Sequence, residues 1–237
     1  MMMPIFKPYF FPYLGYFSLI NQVDEFIIFD TPQFMRKGWI ERNRIIKLTG
    51  GSVYIKVPLL KAELSTSIKD MRIDVAVNWQ DKILSQLDLY KKKAPFYTET
   101  KALVQDCLQG DFNSIVEVNS KIIEKVSNYL GLNTTFKIYS EMELAIEEPN
   151  APDEWALNIC KALGVSNYVN ASGGQEFFDK SKYEKDNINL YYVKQPIDSY
   201  KQLGNDFEPG LSIIDVMMFN SPVEIRNMLS QGYLENA

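Results

Sequence analysis

Three residues of this chain have the type and setting to move a proton, Asp30, Asp215 and Tyr16, and three more, Lys37, Arg42 and Arg44, suit an anion. Asp30 closes the apolar run FIIFD. A carboxylate at the carboxyl end of a strand can deprotonate an ammonium group once burial raises its pKa. Asp215 stands inside LSIIDVMMF, where a charge must be paired or neutralised. An arginine or lysine of the basic segment is its expected partner. Tyr16 ends the aromatic run KPYFFPYLGY and offers a phenol. The chain has no histidine, which excludes Ser-His-Asp and Cys-His nucleophiles and HExxH zinc sites. Chemistry here must use Asp, Glu, Lys, Tyr or groups of the substrate.

The anion-binding residues cluster. Between Phe34 and Lys61 there are seven basic residues against one acid, Glu41, although the whole chain carries a net charge of −5. That balance argues against general affinity for nucleic acid or an anionic membrane and for a small anionic ligand held locally. In a strand, Arg42 and Arg44 share one face and Asn43 takes the other. Lys7, Tyr9, Tyr13, Gly15, Gln33 and Trp39 are further candidates for that pocket, with Asn170, Ser172, Gly173 and Gly174 from a second glycine turn near the other end. Plainer readings stand beside these. Asp30 also suits a turn before Pro32, the arginine pair a solvated hairpin, and Gly173-Gly174 a simple turn.

The elements that must position these residues point to an α/β protein with a mostly parallel sheet. Met3 to Phe6 and Phe26 to Asp30 read as strands, and Leu14 to Val23 between them has helical spacing, which gives a βαβ unit. Its first loop falls at the carboxyl edge of the sheet, where open α/β proteins bind ligands. Ile45 to Leu48 and Ser52 to Val57 flank Gly50-Gly51 as a hairpin. Helices follow around Trp79 to Tyr90, Thr98 to Leu108 and Phe112 to Leu130, forming a helical insertion over about 76–131 within a single domain spanning 1–237. After a strand at Thr134 to Tyr139, the spacing predicts a helix over Glu154 to Leu163 and a strand over Ser166 to Val169. The 170–174 turn then opens a helix near Phe177 to Tyr183, a strand follows at Leu190 to Val193, and a last helix is capped by Ser221-Pro222-Val223-Glu224. Phe10, Phe11, Phe17 and Phe29 belong to the core. So do Cys107 and Cys160, as buried thiols with no disulfide framework or metal cluster.

Two family resemblances follow from these segments. Tyr13-x-Gly15-Tyr16 resembles the HxGH signature of the nucleotidyltransferase-like fold, with FIIFDTPQF where that fold has its second strand. Both histidines are tyrosines here, and a phenol donates one hydrogen bond without positive charge, so adenylyl transfer by that means does not carry over. The second resemblance covers nearly the whole chain. PYFFPYLGYFSLIN, DTPQF, KGWIERNRI, KVPLLK, YKKKAPFY, VNASGG and LSIIDVMMFN, in this order, resemble the WbqC-like family of bacterial proteins found with polysaccharide and O-antigen biosynthesis genes. Lys7-Pro8 stands where that family reads Gln-Pro, and Glu41 where it tends to have Asn.

The chain reads as cytoplasmic on its own pattern, and that resemblance implies a soluble transferase that modifies a nucleotide-activated amino or deoxy sugar, by acyl or aminoacyl (glycyl) transfer to the sugar amine. On this reading Arg42, Arg44 and Lys37 grip a pyrophosphate, and Tyr9, Tyr16 or Trp39 stack on a base or sugar. A non-catalytic module that holds a nucleotide sugar or a partner enzyme, and nucleotidyl transfer, remain alternatives. No cofactor or metal is expected. Nor is membrane insertion, since no apolar run reaches the roughly 18 residues of a spanning helix and the N-terminus lacks a signal-peptide pattern. An oligomer is compatible with the sequence.

Overall fold

Pro4 interrupts the first strand, because a proline has no N–H to give a ladder. In the computed structural model, which describes residues 2–204 and 206–237, the strand becomes β1 (Met2–Met3) and β2 (Ile5–Phe6). The chain continues through α1 (Leu14–Asn21), β3 (Glu25–Ile28) and the antiparallel hairpin β4 (Arg42–Ile46) and β5 (Ser52–Lys56). Gly50 and Gly51, with φ of 90° and 69°, make the turn that hairpin needs. Three helices come next: α2 (Trp79–Gln86), α3 (Tyr97–Leu108) and α4 (Ile115–Leu130). α4 starts later than its apolar pattern predicts, because Ser114 and Glu117 close a reciprocal capping box. The remainder is β6 (Thr135–Ile138), α5 (Glu154–Leu163), β7 (Asn167–Ala171), α6 (Lys180–Lys185), β8 (Asn189–Lys194), α7 (Ile213–Phe219), α8 (Pro222–Ser230) and β9 (Tyr233–Asn236).

The half-strands on either side of Pro4 pair in opposite directions across the sheet. β1 lies parallel to β7, and β2 lies parallel to β3, so two ladders, β1-β7-β8-β9 and β2-β3-β6, meet at residues 2–6. Followed across this junction, the order is β6-β3-β2/β1-β7-β8-β9, parallel except for β9. The chain order reverses between the first strand and β7. Side chains confirm that residues 2–6 form one run: Met3 and Ile5 face a cluster with Ile27, Tyr168, Leu190 and Tyr192, while Met2 and Phe6 face a second cluster with Phe26, Ile28 and Val169. Alternation of this kind buries both faces of a sheet.

The helices supply those two covers. α5 and α6 contribute Leu157, Ile159, Cys160 and Tyr183 to the first cluster. α1, α4, α7 and α8 contribute Phe17, Ile122, Met217 and Ile225 to the larger one. Phe10, Phe11 and Phe17 are fully buried, and Cys107 and Cys160 are free, buried thiols that burial pushes up to about 12. No helix among the described residues is long and apolar enough to cross a membrane.

Two sequence expectations fail near the second glycine turn. Residues 172–177 form a 3-10 segment, and α6 begins only at Lys180 with Asp179 as its cap, so Gly173-Gly174 do not open an α-helix. Asn170 lies inside β7, not in the turn. β9 was not expected at all, since its four residues are exposed and carry no burial pattern.

Candidate functional site

The loop leaving β2, Lys7 to Tyr13, is held by side chains from four distant elements. The Lys7 carbonyl accepts from the Tyr16 hydroxyl at 3.0 Å, and the Pro8 carbonyl from Asn119 Nδ2 at 2.9 Å. Asn43 Nδ2 donates to the carbonyls of Phe10 (3.1 Å) and Phe11 (2.8 Å), and Ser212 Oγ also donates to Phe11 at 2.8 Å. Ile213 N–H reaches the Pro12 carbonyl, and Phe10 N–H donates to Trp39. This bracing has a local cause. Phe11 sits at φ 38°, a left-handed conformation that costs a non-glycine residue on the order of 1–2 kcal/mol and persists only where the surroundings impose it.

Gly15 is not a loop residue. It lies in the first turn of α1, and a Cβ there would sit 2.5 Å from Cε2 of the Tyr13 ring. The spacing Tyr13-x-Gly15 thus records a ring laid across a helix start. Beside it Tyr9, Tyr16 and Phe6 form an aromatic cluster with ring centroids 5.4–5.6 Å apart. Burial raises the phenols of Tyr9 (to about 12), Tyr13 and Tyr16, so all three stay protonated and act as donors at neutral pH. Lys7 is half-buried next to them. Burial lowers its amine from the usual lysine value, with no acidic neighbour to offset it among the described residues.

The hairpin, which carries the candidate cations, is joined to the first loop through Asn43. On β4 and β5 the outward positions pair Arg42 with Lys56 and Arg44 with Tyr54, while Asn43, Ile45 and Ile55 are buried on the inward face. The Arg42 guanidinium lies 4.0 Å above the Tyr54 ring and donates to the Lys37 carbonyl at 2.6 Å. Arg44 stands 5.8 Å from the Trp39 ring and pairs with Glu208 at 3.1 Å. The Nε atoms of both arginines are buried without a partner. Lys37 is exposed at φ 59°, its N–H donating to Glu41, and Trp39 is exposed as well. Glu41 therefore closes a local turn.

The remaining candidates follow β7, the parallel neighbour of the first strand. Asn170 spends its side chain inside the fold, donating to the Tyr168 hydroxyl at 2.6 Å and accepting from Ala171 N–H at 2.7 Å. Gly173 has open space where a Cβ would stand, and Gly174 sits against Asn170 and Phe178. Among the described residues no hydrogen bond joins 172–174 to the first loop or the hairpin. Gln33 donates to the Leu64 carbonyl beside a cleft of about 230 Å³ whose lining includes none of the other candidates.

The residues expected to move protons all lie behind the surface. Asp30 is 1% exposed, and its two oxygens accept from the N–H (3.1 Å) and hydroxyl (2.6 Å) of Ser140, a tie from the end of β3 to the end of β6. The Tyr16 hydroxyl is spent on Lys7. Asp215 is fully buried, and its partners are not arginine or lysine. It accepts from Tyr90 (2.5 Å), Tyr200 (2.8 Å) and Gln202 (3.0 Å). Three neutral donors disperse the charge without a second ion to desolvate. Burial nonetheless raises its pKa against the pull of those hydrogen bonds.

From Asp215 the network reaches back to the hairpin. Tyr90 accepts from Ile46 N–H at 3.3 Å, and Gln202 bonds the Glu208 backbone through both ends of its amide, so Glu208 is placed against Arg44. Sequence reasoning missed Asn119, Ser140, Tyr200, Gln202, Glu208 and Ser212. One signal was available: Asn119 interrupts the buried face Ile115, Val118, Ile122 of α4. A polar side chain there must find partners.

Comparison with known proteins finds similarity over most of the chain. An uncharacterized protein of Mycobacterium tuberculosis (strain ATCC 25618 / H37Rv), Rv1507c, is 29% identical over 223 residues, covering 93% of this chain and 94% of its own. No solved structure matches the chain. The model of the WbqC-like protein family matches residues 7–227, from the first loop to the last helix, and the chain belongs to that family.

Proposed function

We propose that the first loop, the outer face of the hairpin and the turn after β7 bind a nucleotide-activated sugar, and that the protein transfers an acyl or aminoacyl group to an amine of that sugar in surface-glycan synthesis. The observation that carries this reading is the position of the first loop at the reversal of the sheet order, with a cationic hairpin braced to it through Asn43. Half-buried Lys7 lies at the carboxyl end of the strand where the sheet order reverses, and Arg42 and Arg44 lie on the hairpin braced against its loop. Open parallel sheets bind ligands in the crevice at such a reversal. Guanidinium groups suit phosphate, the exposed Trp39 ring suits a base, and protonated Tyr9 and Tyr13 suit sugar hydroxyls.

Acyl transfer to a sugar amine needs the ammonium to lose a proton before its lone pair attacks the acyl carbon. The N–C bond then forms as the acyl group leaves its carrier. Asp30 is poorly placed to take that proton, since both its oxygens are engaged by Ser140. The proton passes to solvent, while the half-buried Lys7 amine serves as a cation for the anionic part of the ligand. A second reading, binding without turnover, draws support from the burial of Asp30, Asp215 and Tyr16.

A thermal-shift screen of UDP-, GDP-, CMP- and dTDP-sugars tests the proposal, since a ligand that binds only the folded chain raises its melting temperature. One class of nucleotide sugar should stabilise the wild type, and Arg42→Ala and Arg44→Ala should remove that shift. No response to any of them sinks the reading. Given a ligand, loss of the free amine on addition of an acyl donor separates transfer from simple binding.

A further inference from the structure

The exposed apolar side chains are unevenly distributed. Among the described residues, eight of the thirteen large hydrophobic residues that remain exposed fall between Met35 and Val77. The same stretch holds nine basic residues against four acidic ones, leaving sixteen against twenty-six elsewhere. This stretch of the chain thus combines exposed apolar side chains with an excess of cations, while the rest of the chain is acidic.

Part of this region forms one defined patch. Backbone bonds from Phe34 to Thr66 and from Leu60 to Arg72 lace three loop segments together, and the Arg36 and Gln33 side chains reinforce them through the carbonyls of Ala62 and Leu64. Met35 (68% exposed) and Leu64 (78% exposed) rim the cleft of about 230 Å³, with Arg36 and one acid, Glu63, beside them, and Lys61 and Arg72 leave the cations in excess. Leu60, Lys61 and Arg72 are exposed next along the same laced segments. The Arg42 and Arg44 face of the hairpin is not needed for this patch.

We propose that this patch docks the protein on an anionic lipid surface, with Met35, Leu60 and Leu64 entering the headgroup layer and Arg36, Lys61 and Arg72 meeting lipid phosphates. Charge complementarity selects this occupant. The cores of protein interfaces are depleted in lysine, whereas aliphatic tips interleaved with lysine and arginine suit the boundary between headgroups and acyl chains. The acidic remainder of the chain is repelled by the same surface, which orients the molecule with the patch inward.

Vesicle co-sedimentation tests this with the whole chain. Wild type should bind vesicles of phosphatidylcholine with roughly a third phosphatidylglycerol, and not vesicles of phosphatidylcholine alone. The Met35→Ser/Leu64→Ser and Arg36→Gln/Lys61→Gln pairs should each weaken binding by roughly tenfold or more. Val223→Ser, at an exposed site on α8, should bind as wild type does. All these positions are exposed, so unchanged circular dichroism is expected and verifies folding. Equal binding to both vesicle types, or undiminished binding by both double variants, overturns the proposal. Retention of the nucleotide-sugar thermal shift in the double variants keeps this outcome separate from failure of the ligand-binding proposal.

Discussion

The loops after the first strand and after β7 leave the same edge of the sheet from neighbouring parallel strands, yet they are built differently. The Lys7 to Tyr13 loop carries the strained Phe11 and has five of its carbonyls held by Tyr16, Asn119, Asn43, Ser212 and Ile213. The segment 172–177 has the Asn170 side chain at its start and, among the described residues, one side-chain hydrogen bond, at 3.4 Å from the Tyr192 hydroxyl to the Gln175 carbonyl. One wall of the proposed site is therefore pre-set, and the other can adapt to what binds. A fixed wall holds a reacting group in register, while an adaptable one admits acceptors of different shape.

Breaking the braces should cost most where the network is deepest. Asp215→Leu leaves Tyr90, Tyr200 and Gln202 without their acceptor behind the hairpin, and should lower stability by about 3–4 kcal/mol in urea melts. The carboxyl also has a pH signature. Its pKa is raised, so its stabilising contribution is fully present below the ordinary carboxylate value and is lost as pH rises through the raised one. The stability advantage of wild type over Asp215→Asn should therefore be widest near about pH 3 and shrink towards about pH 7. A gap that widened with rising pH would contradict a raised pKa.

Asn43→Ala comes next. It orphans the Phe10 and Phe11 carbonyls together and should cost about 2–3 kcal/mol, with faster proteolysis within residues 7–13. The two glycine positions then compare the walls directly. Gly15→Ala forces Tyr13 off the start of α1 and should cost about 1 kcal/mol, whereas Gly173→Ala meets open space and should change stability by less than about 0.5 kcal/mol. Equal effects would erase the distinction between a braced and an open wall.

Local signals explain which parts of this were legible in the sequence. The βαβ start, the Gly50-Gly51 hairpin, the Gly131 and Gly164 helix stops and the Ser221-Glu224 cap all depend on residues close in the chain, and the structure has them. The opposite faces of Arg42 and Asn43 follow from the strand period, and they too are present. The partners of Asp30, Asp215 and the first loop come from more than 100 residues away in several cases, such as Asn119 on Pro8 and Ser140 on Asp30. No spacing rule reaches that far. The helix misplaced at Phe177 has a different cause: its aromatics pack with one another and with Tyr168 at the end of a 3-10 segment, giving an apolar pattern without α-helical geometry.

Calorimetric titration of the best nucleotide sugar into wild type and Lys7→Met, in two buffers of different ionisation enthalpy at mildly alkaline pH, addresses the central claim most directly. An anionic ligand beside a lysine of lowered pKa favours its charged form, so wild type should take up a fraction of a proton on binding. Lys7→Met should bind roughly tenfold or more weakly, show no proton uptake, and keep its ligand-free stability, because the half-buried charge it loses was unpaired. Equal affinity and equal proton uptake in the two proteins would remove Lys7 from the site and contradict the account.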